Sequence, residues 1–161
     1  MFLQLDRVSV QYSGQAALSS VGSRPASPRA AVDQATLSLS PGQIGVLIGP
    51  SGCGKTSLLR AVAGLEPLAG GTIRIGGQLL SDAASGLHQA PEHRGIGMVF
   101  QDYALFPHLS VAENIAFGLK HLPRAERSAR VTEMLELVGL AHAAKRAPHQ
   151  LSGGQQQRIA L

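Results

Sequence analysis

Residues 49–57, GPSGCGKTS, have the types and spacing to hold a chain of phosphates. They fit the pattern G-x-x-x-x-G-K-[ST], whose glycines let consecutive backbone N–H groups turn toward phosphate oxygens. Lys55 would place its charge on the β- and γ-phosphates, and the Thr56 hydroxyl would ligate Mg²⁺. A helix that starts after Gly54 would add a partial positive charge. The stretch predicts a nucleoside-triphosphate site and leaves kinases, GTPases and motor ATPases open.

A second glycine pair lies in the stretch LSGGQQQRIAL, residues 151–161. Ser152 is of a type that caps helix starts, and Gly153 and Gly154 would expose the backbone amides of that start. A glycine pair costs chain entropy, so it needs a reason such as close approach by another group. The stretch therefore predicts a second anion site, although no ligand for it is evident nearby in the sequence.

Composition limits the classes of partner. The 161 residues carry 14 Lys and Arg against 10 Asp and Glu, and the basic residues are spread along the chain. A solvated basic surface is therefore favoured over a nucleic-acid partner. The single cysteine, Cys53, excludes an internal disulfide framework and is typical of a reducing compartment. No run approaches the roughly 18 to 20 apolar residues of a membrane span, so contact with a membrane would come through a partner.

Strands are predicted mainly before residue 101. Residues 2–12 alternate as in a half-buried strand, and GGTIRIGGQLL is typical of a strand and hairpin. The apolar runs QIGVLIG (43–49) and GIGMVF (95–100) predict strands buried on both faces of a parallel sheet. The serine- and proline-rich residues 13–31 predict a flexible surface loop.

One helix is predicted between these strands along the chain, and helices dominate after residue 101. KTSLLRAVAGL has helical spacing and a stop at Gly64, and Ser110 with Glu113 forms a capping box. Pro123 suits the first turn of a helix with one apolar stripe, closed by Gly139. The order of elements indicates an α/β core with a helical insertion.

LSGGQQQR resembles the signature motif of the ABC (ATP-binding cassette) ATPases, at the family's distance from GPSGCGKT. MVFQDYALFPHLSVAENIAFGL resembles the Q-loop region of the same family. The resemblance implies an α/β P-loop NTPase with a RecA-like core, an antiparallel β subdomain and a helical subdomain. Residues 1–100 would form the β-rich core, 101–150 the Q-loop and helical subdomain, and 151–161 the signature motif and the start of its helix.

The same resemblance implies roles for single residues. Gln101 would reach the Mg²⁺, alongside Thr56, and the attacking water, and a Gln directly after a buried strand is where open α/β sheets bind ligands. Tyr12 would stack on adenine. Two such domains would pair head to tail, so that Ser152, Gly153, Gly154 and Gln155 of one contact the ATP of the other. The ATP-binding set is Tyr12, Gly49, Pro50, Ser51, Gly52, Cys53, Gly54, Lys55, Thr56 and Ser57, with Lys55 and Gln101 as catalytic residues.

Two family elements have no counterpart in residues 1–161. No adjacent pair of acids follows an apolar run, so the Asp and the general-base Glu of the family's Walker B strand are missing, as is its switch histidine. We therefore expect the N-terminal two-thirds of a nucleotide-binding domain, truncated before that strand. Residues 1–161 alone are expected to hydrolyse ATP negligibly and to fold poorly, with an open strand edge, whereas the complete protein would be an ATPase.

The function that the resemblance implies is the ATP-hydrolysing subunit of a membrane importer that uses a solute-binding protein. It would lie peripherally on the cytoplasmic face of the inner membrane, bound to permease subunits and a second ATPase subunit. QDYALFPHL and LSGGQQQRIAL most resemble importers of the ferric-iron type, with the polyamine, sulfate and sugar types close behind. A soluble ABC ATPase acting on DNA or ribosomes, an unrelated P-loop kinase and a non-hydrolysing nucleotide-binding fragment stay open as alternatives.

Overall fold

The computed structural model describes residues 1–12 and 30–161, which form two compact units, Met1–Gly97 and Met98–Leu161. The predicted flexible loop lies outside the described residues, apart from its last two positions. Those two, Ala30 and Ala31, begin a strand instead.

The first unit contains one five-stranded antiparallel sheet in the order β2-β1-β3-β4-β5. The predictions of an N-terminal strand and of a hairpin are confirmed. Gly76 and Gly77 join β3 to β4 with φ of 56° and 83°, which only a turn rich in glycine adopts readily. The strands are β1 Leu3–Gln11, β2 Ala30–Leu39, β3 Gly70–Ile75, β4 Gln78–Asp82 and β5 Leu87–His88, and a 3₁₀ turn follows at Pro91–His93.

Helix α1, Lys55–Ala63, packs against this sheet. Its Leu58 and Ala61 are buried with the inward-facing side chains of β1, β2 and β3. Gly64 ends the helix in the left-handed conformation, φ 83°, as the sequence predicts. The buried cluster is Leu5, Val8, Val10, Val32, Leu58, Ala61 and Ile73.

The two strands predicted for a parallel sheet do not form. Residues 43–49 and 95–100 belong to no strand, and Ile44 and Ile48 are 90% and 91% exposed. A parallel strand takes its backbone hydrogen bonds from neighbouring strands, and no strand in residues 1–12 or 30–161 pairs with either segment. Both segments are apolar enough to be buried in a sheet. Residues 1–12 and 30–161 provide no neighbouring strand that would bury them.

The second unit is helical. It contains α2 Val111–Ala116, α3 Arg124–Leu137 and α4 Gly153–Ala160, with 3₁₀ turns at Phe117–Leu119, Ala141–Ala143 and Pro148–Gln150. Its core is Val111, Val131, Leu135, Leu140, Ala143 and Leu151.

Short-range sequence patterns predict where α2 and α3 begin, to within about one residue. The Ser110–Glu113 capping box opens α2 as predicted, with the Ser110 backbone N–H donating to Glu113 Oε2 at 2.7 Å. Pro123 is the N-cap of α3 and not a residue of its first turn, because its extended ψ of 149° lies outside the helix. None of the helices in the described ranges is long and apolar enough to cross a membrane.

Candidate nucleotide-binding site

The phosphate loop is a glycine-rich turn that leads into α1. Gly52 and Gly54 have φ of 80° and 94°, the left-handed region that side chains rarely adopt. A Cβ at Gly54 would also overlap the backbone oxygen of Ala31 in β2. The loop is thus shaped by steric contact with the sheet as well as by its own turn.

The start of α1 leaves backbone donors available. Gly54 is the N-cap and has no side chain to accept from the first turn. The first hydrogen bond of the helix joins Leu58 N to Gly54 O at 2.9 Å, so the amides of residues 55–57 precede it. These amides and the helix dipole make the turn an anion site.

The Lys55 side chain lies over the loop. Its Nζ donates to Gly49 O at 2.8 Å and to Pro50 O at 2.7 Å, and lies 3.4 Å from Cys53 Sγ. Both oxygen acceptors are neutral and belong to the loop itself. A polyphosphate in the loop would offer this ammonium charged oxygens in their place, which are stronger acceptors.

The side chains present also fit a magnesium nucleotide. Thr56 is exposed beside the loop and supplies one hydroxyl ligand. Across residues 1–12 and 30–161, no three His, Cys, Asp or Glu side chains converge to hold a metal ion. Besides such a hydroxyl, Mg²⁺ usually keeps phosphate oxygens and water as its ligands.

Tyr12 lies next to the same turn. It follows the last residue of β1, and its hydroxyl donates to Ser57 Oγ at 3.0 Å. Tyr12 is 43% exposed. The structure thus brings Tyr12 to the phosphate loop, while its stacking on adenine stays a prediction.

The second glycine motif starts α4. Ser152 is the N-cap, as predicted, and exchanges hydrogen bonds with Gln155: Gln155 N donates to Ser152 Oγ at 3.4 Å, and Ser152 N donates to Gln155 Oε1 at 2.9 Å. A Cβ at Gly153 would meet Tyr103 Oη at 3.6 Å, an ordinary contact, and one at Gly154 would meet nothing within 4 Å. Neither glycine is required by packing among the described residues.

Residues 32–161 match the family model described as ABC transporter. The chain belongs to the ABC transporter family. The trehalose/maltose import ATP-binding protein MalK of Thermococcus litoralis is 50% identical over 133 residues, which are 81% of this chain and 36% of the relative. The putrescine transport ATP-binding protein PotG of Escherichia coli is 53% identical over 133 residues, 81% of this chain and 34% of the relative. The chain thus spans about a third of these relatives' length.

Solved ABC structures share the fold. The dimeric structure of the bacterial ABC transporter cassette MJ0796 superposes with a TM-score of 0.78 at 28% identity, covering 98% of this chain and 66% of that one. A post-hydrolysis state of the same cassette, bound to ADP and Pi, gives a TM-score of 0.77. The cassette fold implied by the two motifs is confirmed.

The ABC motif residues are divided between the two units. Tyr12 and the phosphate loop belong to the first unit, and Gln101 and the signature residues 152–155 belong to the second. Gln101 lies in an exposed turn that follows residues 95–100. Its predicted contact with Mg²⁺ and water stays a prediction.

Two residues that organise this ABC chain were missed from the sequence. Asn114 accepts from Phe106 N at 2.8 Å and donates to the backbone oxygens of Phe106, Leu109 and Ser110, which fixes the loop before α2. Arg94 is buried, at 6% exposure, in the first unit. Asn inside a helix and a lone arginine beside glycines are weak sequence signals, since neither residue type at these positions indicates which groups it will contact.

The Glu113 carboxylate is also set by local contacts. The Ser110 hydroxyl, followed by the Ser110 backbone N–H, lowers the pKa of Glu113 below its usual value. Ser110 Oγ lies 2.6 Å from Glu113 Oε2. These hydrogen bonds favour the charged form, which keeps the capping box closed at neutral pH.

Proposed function

We propose that this chain is the ATP-binding part of an ATPase subunit that powers a membrane importer. The observation that carries the proposal is the pair of glycine-rich helix starts. One, at α1, holds Lys55 and free amides above a turn fixed by the sheet, and the other, at α4, has glycines that its own packing does not need.

In this proposal ATP binds to residues 49–57 with its phosphates on the amides of α1. Lys55 leaves the carbonyls of Gly49 and Pro50 and neutralises the β- and γ-phosphates. Thr56 and Gln101 are the protein's side-chain ligands to Mg²⁺, and Gln101 also orients the attacking water. Tyr12, which already contacts Ser57, packs on the adenine.

The second helix start supports a dimer of two such subunits. Gly153 and Gly154 would offer their amides to the γ-phosphate bound by the partner, head to tail, in the motif that Ser152 opens. The bare backbone of both glycines is consistent with close approach by a group from another chain. The similar cassette MJ0796 has been solved as a dimer, which supports pairing of two subunits here.

The importer assignment draws on the relatives, whose names give trehalose, maltose and putrescine as solutes. We therefore rank sugars and polyamines ahead of ferric iron, which the motif texture placed first. The partners would be permease subunits and, through them, a solute-binding protein. The subunit would be peripheral, on the cytoplasmic face of the membrane.

A fluorescent ATP analogue tests the nucleotide site. The purified protein is expected to bind the analogue with Mg²⁺ and to release it on addition of ATP. Lys55→Ala is expected to weaken binding at least about tenfold, since a charge-assisted contact is lost. Lys145→Ala, which removes an exposed lysine of the second unit, is the matched control and should bind as the wild type does. Equal affinities for all three proteins would refute the site.

Measurements of ATP hydrolysis and of solute uptake test the rest of the proposal. Binding without sustained hydrolysis is expected for residues 1–161 alone, because the general-base glutamate is not among them. Sustained turnover that Lys55→Ala abolishes would contradict that expectation. In cells, uptake of labelled putrescine, maltose and ferric iron with and without the gene identifies the solute, and unchanged uptake of all three would remove the support for these solutes.

A further inference from the structure

The C-terminal end of α1 is held by a buried arginine that the nucleotide proposal does not use. Arg94 is 6% exposed and forms no ion pair within the described ranges. Its NH1 donates to Ala61 O at 3.1 Å and to Val62 O at 3.0 Å. Both oxygens belong to the last turn of α1, where the dipole favours a cation, and Ala61 O also accepts from Gly64 N at 3.1 Å.

The same guanidinium reaches two other elements. Nε donates to Gln89 O at 2.7 Å, just after β5, and NH2 donates to Ser81 Oγ at 2.6 Å, in β4. Ser81 is itself 1% exposed, so this is a buried polar contact in a fixed place. Arg94 thus ties the helix end to the β4–β5 corner through four hydrogen bonds.

The surrounding residues are built around this contact. Gly64, φ 83°, ends α1 against the guanidinium, and a Cβ there would overlap Nε and lie 2.8 Å from Cζ. His88, the cross-strand partner of Ser81, places Nε2 at 3.1 Å from Gly64 O. The helix end is therefore fitted to Arg94 in shape as well as in hydrogen bonding.

We propose that Arg94 is a positioning residue for the phosphate loop, acting through α1. The helix has nine residues, with the loop at one end and the Arg94 contacts at the other. Leu58 and Ala61 press its side against the sheet, which resists separation but allows sliding and tilting. Fixing the far end removes that freedom, so the amides and Lys55 stay in register with the phosphates. This inference rests on the proposed nucleotide site.

Substitution of Arg94 by methionine keeps an apolar stem of similar length and removes every donor. Arg94→Met is expected to weaken binding of the fluorescent ATP analogue about tenfold, because affinity depends on how exactly the phosphate-binding groups are positioned. Arg94→Lys keeps the charge near the helix end and should restore part of the affinity. Arg74→Met, at an exposed arginine of β3, is the matched control and should bind as the wild type does.

Amide hydrogen exchange, measured without nucleotide, distinguishes a local loosening of α1 from a general loss of stability. Exchange at residues 58–60, the first amides hydrogen-bonded within α1, should rise in Arg94→Met, while exchange in β1 and β3 stays at the wild-type level. Affinity equal to the wild type at equal folded fraction, or exchange raised uniformly through the first unit, would overturn the proposal.

Two outcomes call for a second variant or a second measurement. Where Arg94→Met does not fold, Arg94→Lys and Ser81→Ala are read in its place, and each should give a smaller loss of affinity with the same local rise in exchange. Where the wild type itself does not bind the analogue, the nucleotide site is refuted. The exchange pattern at residues 58–60 then still decides whether Arg94 holds α1.

Discussion

Replacing the signature glycines should separate stability from function. In Gly153→Ala/Gly154→Ala, neither new methyl group meets an obstacle, because the nearest atom to the first is Tyr103 Oη at 3.6 Å and the second has open space. Both positions lie in the first turn of α4. Alanine reduces the entropy lost on folding by about 0.5–1 kcal/mol per helical site, so the double variant should gain about 1–2 kcal/mol of unfolding free energy.

The same two substitutions should weaken ATP-dependent dimerisation while they raise the unfolding free energy. If a γ-phosphate of the partner must approach this backbone, two methyl groups would hold it away. ATP-dependent dimerisation, followed by sedimentation velocity, should therefore be lost, while urea unfolding followed by circular dichroism shows the gain in stability. Gly139→Ala is the matched control, since its φ of 69° makes alanine costly by about 1 kcal/mol and it lies outside the motif.

Two results would refute this reasoning. A double variant less stable than the wild type would mean that the glycines serve packing within the chain. A double variant that dimerises with ATP as readily as the wild type would mean that no group from another subunit approaches these amides. Either result removes the main support for the head-to-tail arrangement.

Three further predictions test local contacts. Gly54→Ala should cost about 3 kcal/mol or more of unfolding free energy, because strain at its φ adds to overlap with β2, whereas Gly52→Ala has open space and should cost about 1–2 kcal/mol; equal losses in urea would contradict the steric argument. Hydrogen bonds from Ser110 lower the pKa of Glu113, so the stability it contributes is full above its unfolded pKa and is lost as pH falls through the lower folded pKa; Glu113→Gln should flatten the acid limb of stability against pH, and parallel limbs would argue against it. Asn114→Ala should cost about 2–3 kcal/mol and raise hydrogen exchange at residues 106–110, and unchanged exchange there would show that the loop is held by other contacts.

Much of the site follows from short-range patterns in the sequence. The phosphate loop, the helix after it and its stop at Gly64 depend on residues within one or two turns of each other, and the structure has all three. The boxes at Ser110 and Ser152 likewise join residues three apart. Such features are readable because their partners are fixed by backbone geometry.

Long-range pairing was not readable in the same way. Residues 43–49 have the apolar texture of a buried parallel strand, but Ile44 and Ile48 are exposed and no strand of the described ranges pairs with them. The pattern of apolar residues indicates how a segment would be buried once neighbouring strands are present. It does not show which strands those are or whether they form its hydrogen bonds.

The sequence by itself determined the family, the phosphate loop and the two helix starts, because these rest on residue types at fixed local spacing. Only the tertiary structure decided that Arg94 closes the far end of α1, since its four acceptors come from segments up to 33 positions away. It also decided that Tyr12 meets Ser57 and that Gly54 is confined by β2. These contacts depend on where the sheet brings distant backbone atoms, which no local pattern encodes.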